Sequence, residues 1–348
     1  MRWLAVAAAA LALAVPARAR AQAPSPPASD AYLPLGAFGA SVVRDGELDV
    51  HVGFSAFGGS STEHETCPTA GPACASPAPP SPYDVHVAYF AVDVPLDVTY
   101  GLSRFVALEL HQPLRFYGSS PSYTAGGAPV TEPDDIAHAR EQYAGFADAW
   151  VALRSSIVRG RFTVTPRLGA SLPFGKTIPN PNLAQYEGLW HERTQFGSGT
   201  VMPLLGLGVL GEFGKVDVEA RAVAIFSLYE DAWGHRAASQ LLPSLRAALS
   251  MWTTLLPYVE ADMPVTGSDH WSNQPPGYGD GRPHASALVG GGLVWTFKAP
   301  LYADVNARAH VANIGPGPTY PGTLSIGNGA RFFTPREPAE PASAPASH

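Results

Sequence analysis

The chain has 348 residues, with 22 lysines and arginines against 29 aspartates and glutamates, and a formal net charge of −7. This balance argues against a nucleic-acid partner. Only 15% of the residues are charged, against about 25% in soluble domains, which suits a chain presenting an apolar surface to lipid.

Residues 1–21 read as a cleaved export signal. Arg2 gives the basic start, residues 4–15 form an apolar stretch too short to cross a bilayer as a helix, and Pro16 ends it. Cleavage is expected before Gln22, after Ala19-Arg20-Ala21. It removes Arg2, Arg18 and Arg20 and takes the charge from −7 to about −10. No later apolar run reaches about 18 residues, so any membrane crossing is made by strands. Residues 22–46 form a lead-in. Its first part is a Pro/Ser/Ala leader, and 31–44 is a periplasmic or lumen-entering segment joined through Asp45-Gly46.

From residue 47 to 333 the sequence predicts an all-β fold, a single antiparallel transmembrane β-barrel of about twelve strands. In the first strand Leu48, Val50, Val52, Phe54 and Ala56 interleave with Asp49, His51, Gly53 and Ser55, the period-two signature of a strand between two different solvents. The expected strands are 47–57, 83–100, 104–117, 145–157, 161–173, 200–213, 216–229, 240–252, 256–264, 284–297, 301–313 and 323–333. Connections at 101–103, 158–160, 214–215, 253–255 and 298–300 are short. Those at 58–82, 118–144, 174–199, 230–239, 265–283 and 314–322 are long. Short turns belong in the periplasm and long loops outside, so both barrel ends lie on the periplasmic side. Residues 334–348 form a disordered Pro/Ala-rich tail.

Facing follows from parity. In 161–173, Phe162, Val164, Leu168, Ala170 and Leu172 are assigned to lipid, and Thr163, Thr165, Arg167, Gly169 and Ser171 to the interior. In 301–313, Leu301, Ala303, Val305, Ala307, Ala309 and Val311 face out, and Tyr302, Asp304, Asn306, Arg308 and His310 face in. The apolar parity of 83–100 changes midway, which suggests a bulge near residues 90–93. Strand 200–213 is apolar on both faces and calls for an internal shield, either a loop or residues 31–44. The triplet Gly290-Gly291-Gly292 inside a strand reads as a close backbone approach or a kink. Tyr100, Phe105, Trp150, Phe213, Trp252, Tyr258, Trp295, Phe297, Tyr302 and Phe333 fit interfacial aromatic girdles.

Three stretches carry a family resemblance: VPLDVTYGLSRFVALELHQPL, GFADAWVALRSSIVRGRFTVTPRLGASLPFGK and the closing SIGNGARFF. Together they resemble outer-membrane transporter-like barrels of the phenol-degradation MetA type over roughly residues 83–333. Phe174 stands where that family has a threonine, and Phe333 is followed by a tail rather than ending the chain. The resemblance implies movement of small, often hydrophobic, molecules across the outer membrane.

The candidate lumen or permeation residues are the polar groups on the expected inner face. They are His51 and His86 on the first two strands, then Glu109 and His111, Asp148 and Arg154, and Arg167. Glu219 and Arg221, Arg246, Glu260 and Asp262, and Asp304, Arg308 and His310 complete the set. They form either a ladder of compensating charges or a solute path. No His-x-His pair is present, so no metal or other cofactor is expected. Cys67 and Cys74, in one loop of an exported chain, are assigned to a disulfide staple.

The leading reading is a monomeric outer-membrane channel of a Gram-negative bacterium, with lipid and a small solute, hydrophobic ones included, as its partners. One alternative is a structural or partner-binding barrel without transport. Another is an outer-membrane lipid hydrolase, for which Ser198 and His191 share a loop, although no Gly-x-Ser-x-Gly elbow is present and the loop reads as a flexible Gly/Ser turn.

Overall fold

The computed structural model describes residues 44–64, 84–130, 141–177, 196–252, 254–272, 283–297, 301–314 and 322–333. The signal, the lead-in up to residue 43, Cys67, Cys74 and the tail lie outside the described residues. Twelve antiparallel strands close into a barrel. They are β1 (Glu47–His64), β2 (Asp84–Ser103), β3 (Val106–Ala125), β4 (in three segments, Glu141–Phe146, Ala149–Ser155 and Ile157–Arg159), β5 (Phe162–Leu172) and β6 (Met202–Phe213). There follow β7 (Val216–Ile225), β8 (Gln240–Leu249), β9 (Leu255–Asp262, continued by Val265–Thr266), β10 (His284–Thr296), β11 (Leu301–Ile314) and β12 (Gly322–Phe333). Each strand pairs with its neighbours in sequence, and β12 pairs with β1 from Phe333 opposite Glu47 to Thr323 opposite Phe57. Closure leaves no edge strand with unpaired amides, a requirement for a sheet surrounded by hydrocarbon.

The alternation of connections is as the sequence predicts. Two-residue turns join β2 to β3, β4 to β5 and β6 to β7, with Ser103 opposite Val106, Arg159 opposite Phe162 and Phe213 opposite Val216. Gly160 and Gly214 occupy positive φ, at 60° and 75°, where a side chain would be strained. Asp45-Gly46 also forms the expected joint: Gly46, at φ 74°, donates to Gly101 O, and Glu47 N donates to Arg44 O. At the opposite end the long connections carry small sheets of their own. Residues 128–130 fold back on β3, and His235–Arg236 pairs with His270–Trp271.

The parity assignments for β5 and β11 hold. Leu168 is 65% exposed on the outside, while Arg167, its neighbour, is buried inside. Elsewhere the structure corrects the sequence. β1 and β3 run on to His64 and Ala125, beyond the apolar alternation that marked them. β2 holds one register against β1 and against β3 across residues 90–93, so there is no bulge there. The extra residue lies in β4 instead. His111 pairs with Trp150 and Leu114 with Phe146, so two residues of β3 face three of β4 around Ala147-Asp148. Because β2 keeps its parity, even-numbered residues point outward throughout. His86 lies on the outer register with Phe90 and Leu96 and is exposed. It is not an inner-face residue.

The aromatic girdle is smaller than expected. Phe105, Phe213, Trp252, Trp295 and Phe297 are exposed around the short-turn rim, joined by Phe162. Tyr258 and Tyr302 are buried on the inner face, and Trp150 packs against the apolar cluster inside. Strand β6, apolar on both faces, finds its shield within the barrel. Met202 and Leu204 bury against Ala152, Val223 and Ile225, with Trp150, Leu242 and Ala237 of the 226–239 connection packed on them. The shield is thus built mainly by inner-face side chains of β4, β7 and β8, with Ala237 alone coming from a connection, and residues 31–43 lie outside the described residues.

Replacing Leu168 by Arg places a cation on the outer belt and should weaken folding into a phosphatidylcholine bilayer by about 2 to 4 kcal/mol. Unchanged folding free energy, measured by titration with denaturant, would mean that this face does not meet hydrocarbon.

Candidate functional site

The inner face holds a polar girdle built from pairs that skip a strand. Neighbouring strands lie about 4.8 Å apart, so a side chain reaching its second neighbour must lie flat along the wall over the strand between. His51 on β1 does so. Its Nε2 is 2.8 Å from Asp304 Oδ1 on β11, across β12. Tyr302 on β11 donates its hydroxyl to Asp49 Oδ1 on β1 at 2.9 Å, over the same strand. β12 permits both because its inner positions are Gly327 and Gly329. A Cβ on Gly327 would strike His51 and lie 2.5 Å from Asp304 Oδ1, and one on Gly329 would strike the Tyr302 ring.

The arrangement repeats one strand pair on. Asn306 on β11 donates to Glu260 Oε1 on β9 at 2.5 Å, and Arg308 Nη1 donates to Asp262 Oδ2 at 2.9 Å, both across β10. Under these bridges lie Gly290 and Gly292. A methyl on Gly290 would sit 2.7 Å from Arg308 Cγ, and one on Gly292 2.5 Å from Tyr258 Oη. The glycine triplet is thus a close approach, though of side chains as well as backbone. Arg246 on β8 extends the girdle with Nη2 2.5 Å from Glu260 Oε2 and its guanidinium 4.1 Å over the Tyr258 ring.

On the other side of the barrel Glu109 on β3 takes two arginines. Arg154 Nη1 reaches its Oε1 and Arg167 Nε its Oε2, each at 2.9 Å. The Arg167 bridge passes over Ala152, which pairs with Glu109 on one side and Gly169 on the other. Side-chain exposure here is 0% for both arginines and 1% for Glu109, so the cross-section beside them is filled. Glu219 and Arg246 are equally buried. These groups are a ladder of compensating charges, and a buried ladder stands only while every member keeps its partner.

The wall formed by β1, β2 and β3 is more open. Side-chain exposure is 32% at Arg115, which grips Asp93 with Nε and Nη2, and 20%, 12% and 6% at His111, His51 and Asp97, which face one another across β3, β1 and β2. There His111 Nδ1 is 2.5 Å from Asp97 Oδ1, and His51 Nδ1 is 3.2 Å from Oδ2. His51, held between Asp97 and Asp304 with its ring stacked 6.0 Å from that of Tyr302, is the hub of the constriction. His111 leans on Trp150 at 5.1 Å, which joins the polar wall to the apolar cluster. Sequence parity located several of the charged members, among them His51, Glu109, Arg167, Glu260 and Asp304. It missed Asp97, Arg115, Tyr302 and Asn306 as parts of one network, since strand-skipping contacts leave no short-range spacing to read.

Asp148 stands in the β4 bulge and ties down the β5–β6 connection. Its Oδ1 accepts from Gly175 N at 3.0 Å, and its Oδ2 accepts from Ser198 N at 2.7 Å and Ser198 Oγ at 2.6 Å. Phe196 is buried beside Gly145, where a Cβ would come within 3.0 Å of its ring. The Gly197-Ser198-Gly199 segment is thus a buried latch rather than a flexible turn, with the Ser198 hydroxyl committed to holding the loop. His191 lies outside the described residues. His310 falls on the inner register of β11 and Arg221 on that of β7, each beside groups of the girdle. Among the described residues no group of three or more His, Cys, Asp or Glu side chains could hold a metal ion.

No family model and no curated protein sequence matches the chain. Its fold matches the crystal structure of an outer-membrane channel from Pseudomonas putida F1, at a TM-score of 0.56 and 12% identity over 84% of this chain and 98% of the other. The likeness is one of fold. The toluene transporter TbuX of Ralstonia pickettii overlaps more loosely, at a TM-score of 0.39 and 7% identity over 84% and 90% of the two chains.

Replacing Glu109 by Gln strips two buried arginines of their shared counter-charge and should lower folding stability by about 3 to 5 kcal/mol. Replacing Arg115 by Ala, in a pair whose side chains keep 32% and 21% exposure, should cost less, about 1 kcal/mol. Chemical denaturation of both variants in bilayers checks the contrast, and equal costs would contradict the assignment of a buried ladder.

Proposed function

We propose that this chain is an outer-membrane channel that passes a small, partly apolar solute along the wall formed by β11, β12, β1, β2 and β3. The observation that carries the reading is the flattened girdle on that wall. Side chains large enough to plug a twelve-stranded barrel lie down over glycines, and on the β1–β3 wall Arg115, His111 and His51 keep partial exposure. The apolar cluster around Trp150, Leu204 and Ile225 faces this wall from the other side, giving an amphipathic interior suited to a solute with an apolar body and a polar group. The apolar outer belt, the export signal and the resemblance of three hairpins to phenol-degradation MetA-type barrels support the same location and role. So does the fold shared with an outer-membrane channel. The protein acts as a monomer, its Cys67–Cys74 staple restraining one extracellular loop.

One observation favours a second reading, a structural barrel without transport. The buried ladder around Glu109, Glu219 and Arg246 fills much of the cross-section. The two readings part at His51. In a channel, replacing His51 by Ala opens the constriction and leaves Asp97 and Asp304 facing the path. Single-channel current in a planar bilayer should rise, with a shift toward cations, because bared charges at a narrow point set the local field. In a structural barrel both wild type and variant, inserted and folded, remain silent and admit no small solute to liposomes. That result would remove the channel.

A further inference from the structure

Charge is segregated between the two ends of the barrel. The connections at the short-turn end contain Arg104, Arg161, Lys215 and, in sequence, Lys298, with Arg159 at the last position of β4, and none of them contains an acidic residue. This is a concentration of cations in a chain that is otherwise acidic. The long connections run the other way, with Glu132, Asp134, Asp135, Glu230, Asp231 and Asp269 among their residues. The acids at this end are Glu212 and Asp217, which pair across β6 and β7 on the inner register, Asp45 at the joint beside Gly101, and Glu47, buried against Arg331.

Arg104, Arg159, Arg161 and Lys215 are exposed, and none makes an ion pair among the described residues. Two of them are held by aromatic rings instead. The Arg104 guanidinium lies 4.5 Å from the Phe105 centroid. That of Arg161 lies 5.3 Å from Phe213 and 5.9 Å from Phe162, two rings in edge contact at 6.0 Å from adjacent strands. Rings that are exposed on the outer surface and lie beside the turns belong at the depth of lipid headgroups. A guanidinium resting on them keeps its N–H fork turned toward that layer and matches a phosphodiester better than a mobile ammonium would.

We infer that the short-turn rim is a binding collar for anionic phospholipid headgroups of the leaflet it enters. The inference rests on the membrane reading of the barrel. The collar draws phosphatidylglycerol-type lipids to the rim by charge and orients them through Arg104 and Arg161, while the acidic loop end repels them and so fixes which leaflet each end prefers.

The test uses the full chain folded into phosphatidylcholine bilayers doped with spin-labelled phosphatidylglycerol or spin-labelled phosphatidylcholine, read as the fraction of motionally restricted lipid. The wild type should select phosphatidylglycerol severalfold at low salt, and added salt should erase most of the preference. Replacing Arg104, Arg159, Arg161 and Lys215 together by Gln should bring the ratio close to unity, with restricted phosphatidylcholine unchanged as the sign of an intact barrel. Arg236→Gln, at the loop end, should leave the ratio as it is. A wild type without preference, or a quadruple variant that keeps it, overturns the collar and leaves the barrel standing. Absence of restricted lipid of either kind removes the membrane reading and the collar with it.

Discussion

A charged group on the inner face of a narrow barrel has little bulk water to dissolve it, so it must find its counter-charge along the wall or across the bore. This chain takes the first course, its inner-face pairs joining neighbouring or next-neighbour strands, and much of its architecture follows from where such bridges can lie flat. Gly290, Gly292, Gly327 and Gly329 strip the inner faces of β10 and β12 of side chains, so Tyr302, Asp304, Asn306 and Arg308 on β11 lie flat and reach partners on β9 and β1. Where the intervening strand offers Ala152, the longer arm of Arg167 still spans it. Each bridge ties together three strands, which adds side-chain closure to the hydrogen-bonded ladder.

Burial divides the interior into two unlike regions that meet on β3. Around Glu109, Arg154 and Arg167 the charges are dry, and their value to the fold depends on mutual compensation, because a lone buried ion is far costlier than the pair is favourable. Around Asp93, Arg115 and His111 the side chains keep partial exposure, and ion pairs nearer water contribute less to stability. The loop latch at Asp148 adds a fixed element above: three hydrogen bonds to one carboxylate set the base of the β5–β6 connection against the wall.

The barrel was legible in the sequence because a two-faced strand has to alternate. Phe162 to Leu172 and Leu301 to Val311 assign their own faces, and the turn lengths assign the ends. What misled was local composition read without register. Val85, Val87 and Tyr89 suggested a flipped face in β2, yet that part of the strand extends beyond the apolar band, where the outward face need not be apolar, and His86 accordingly points out. The aromatic residues Tyr258 and Tyr302 resembled girdle members by their nearness to turns, but parity puts them inside, where their hydroxyls serve Asn306 and Asp49. The Ser198 latch was hidden because its partner, Asp148, lies fifty residues earlier in a bulge that hydrophobic alternation does not mark.

The central claim is that polar bridges across a glycine-floored strand couple its two neighbours energetically. A double-mutant cycle on Tyr302→Phe and Asp49→Asn, measured as folding free energy in bilayers, tests it directly, since the two residues sit on strands that share no backbone hydrogen bond. The account expects a coupling of about 1.5 to 3 kcal/mol, in the range of a hydrogen bond to a charged group. Costs that add to within about 0.5 kcal/mol, as independent sites do, would contradict it.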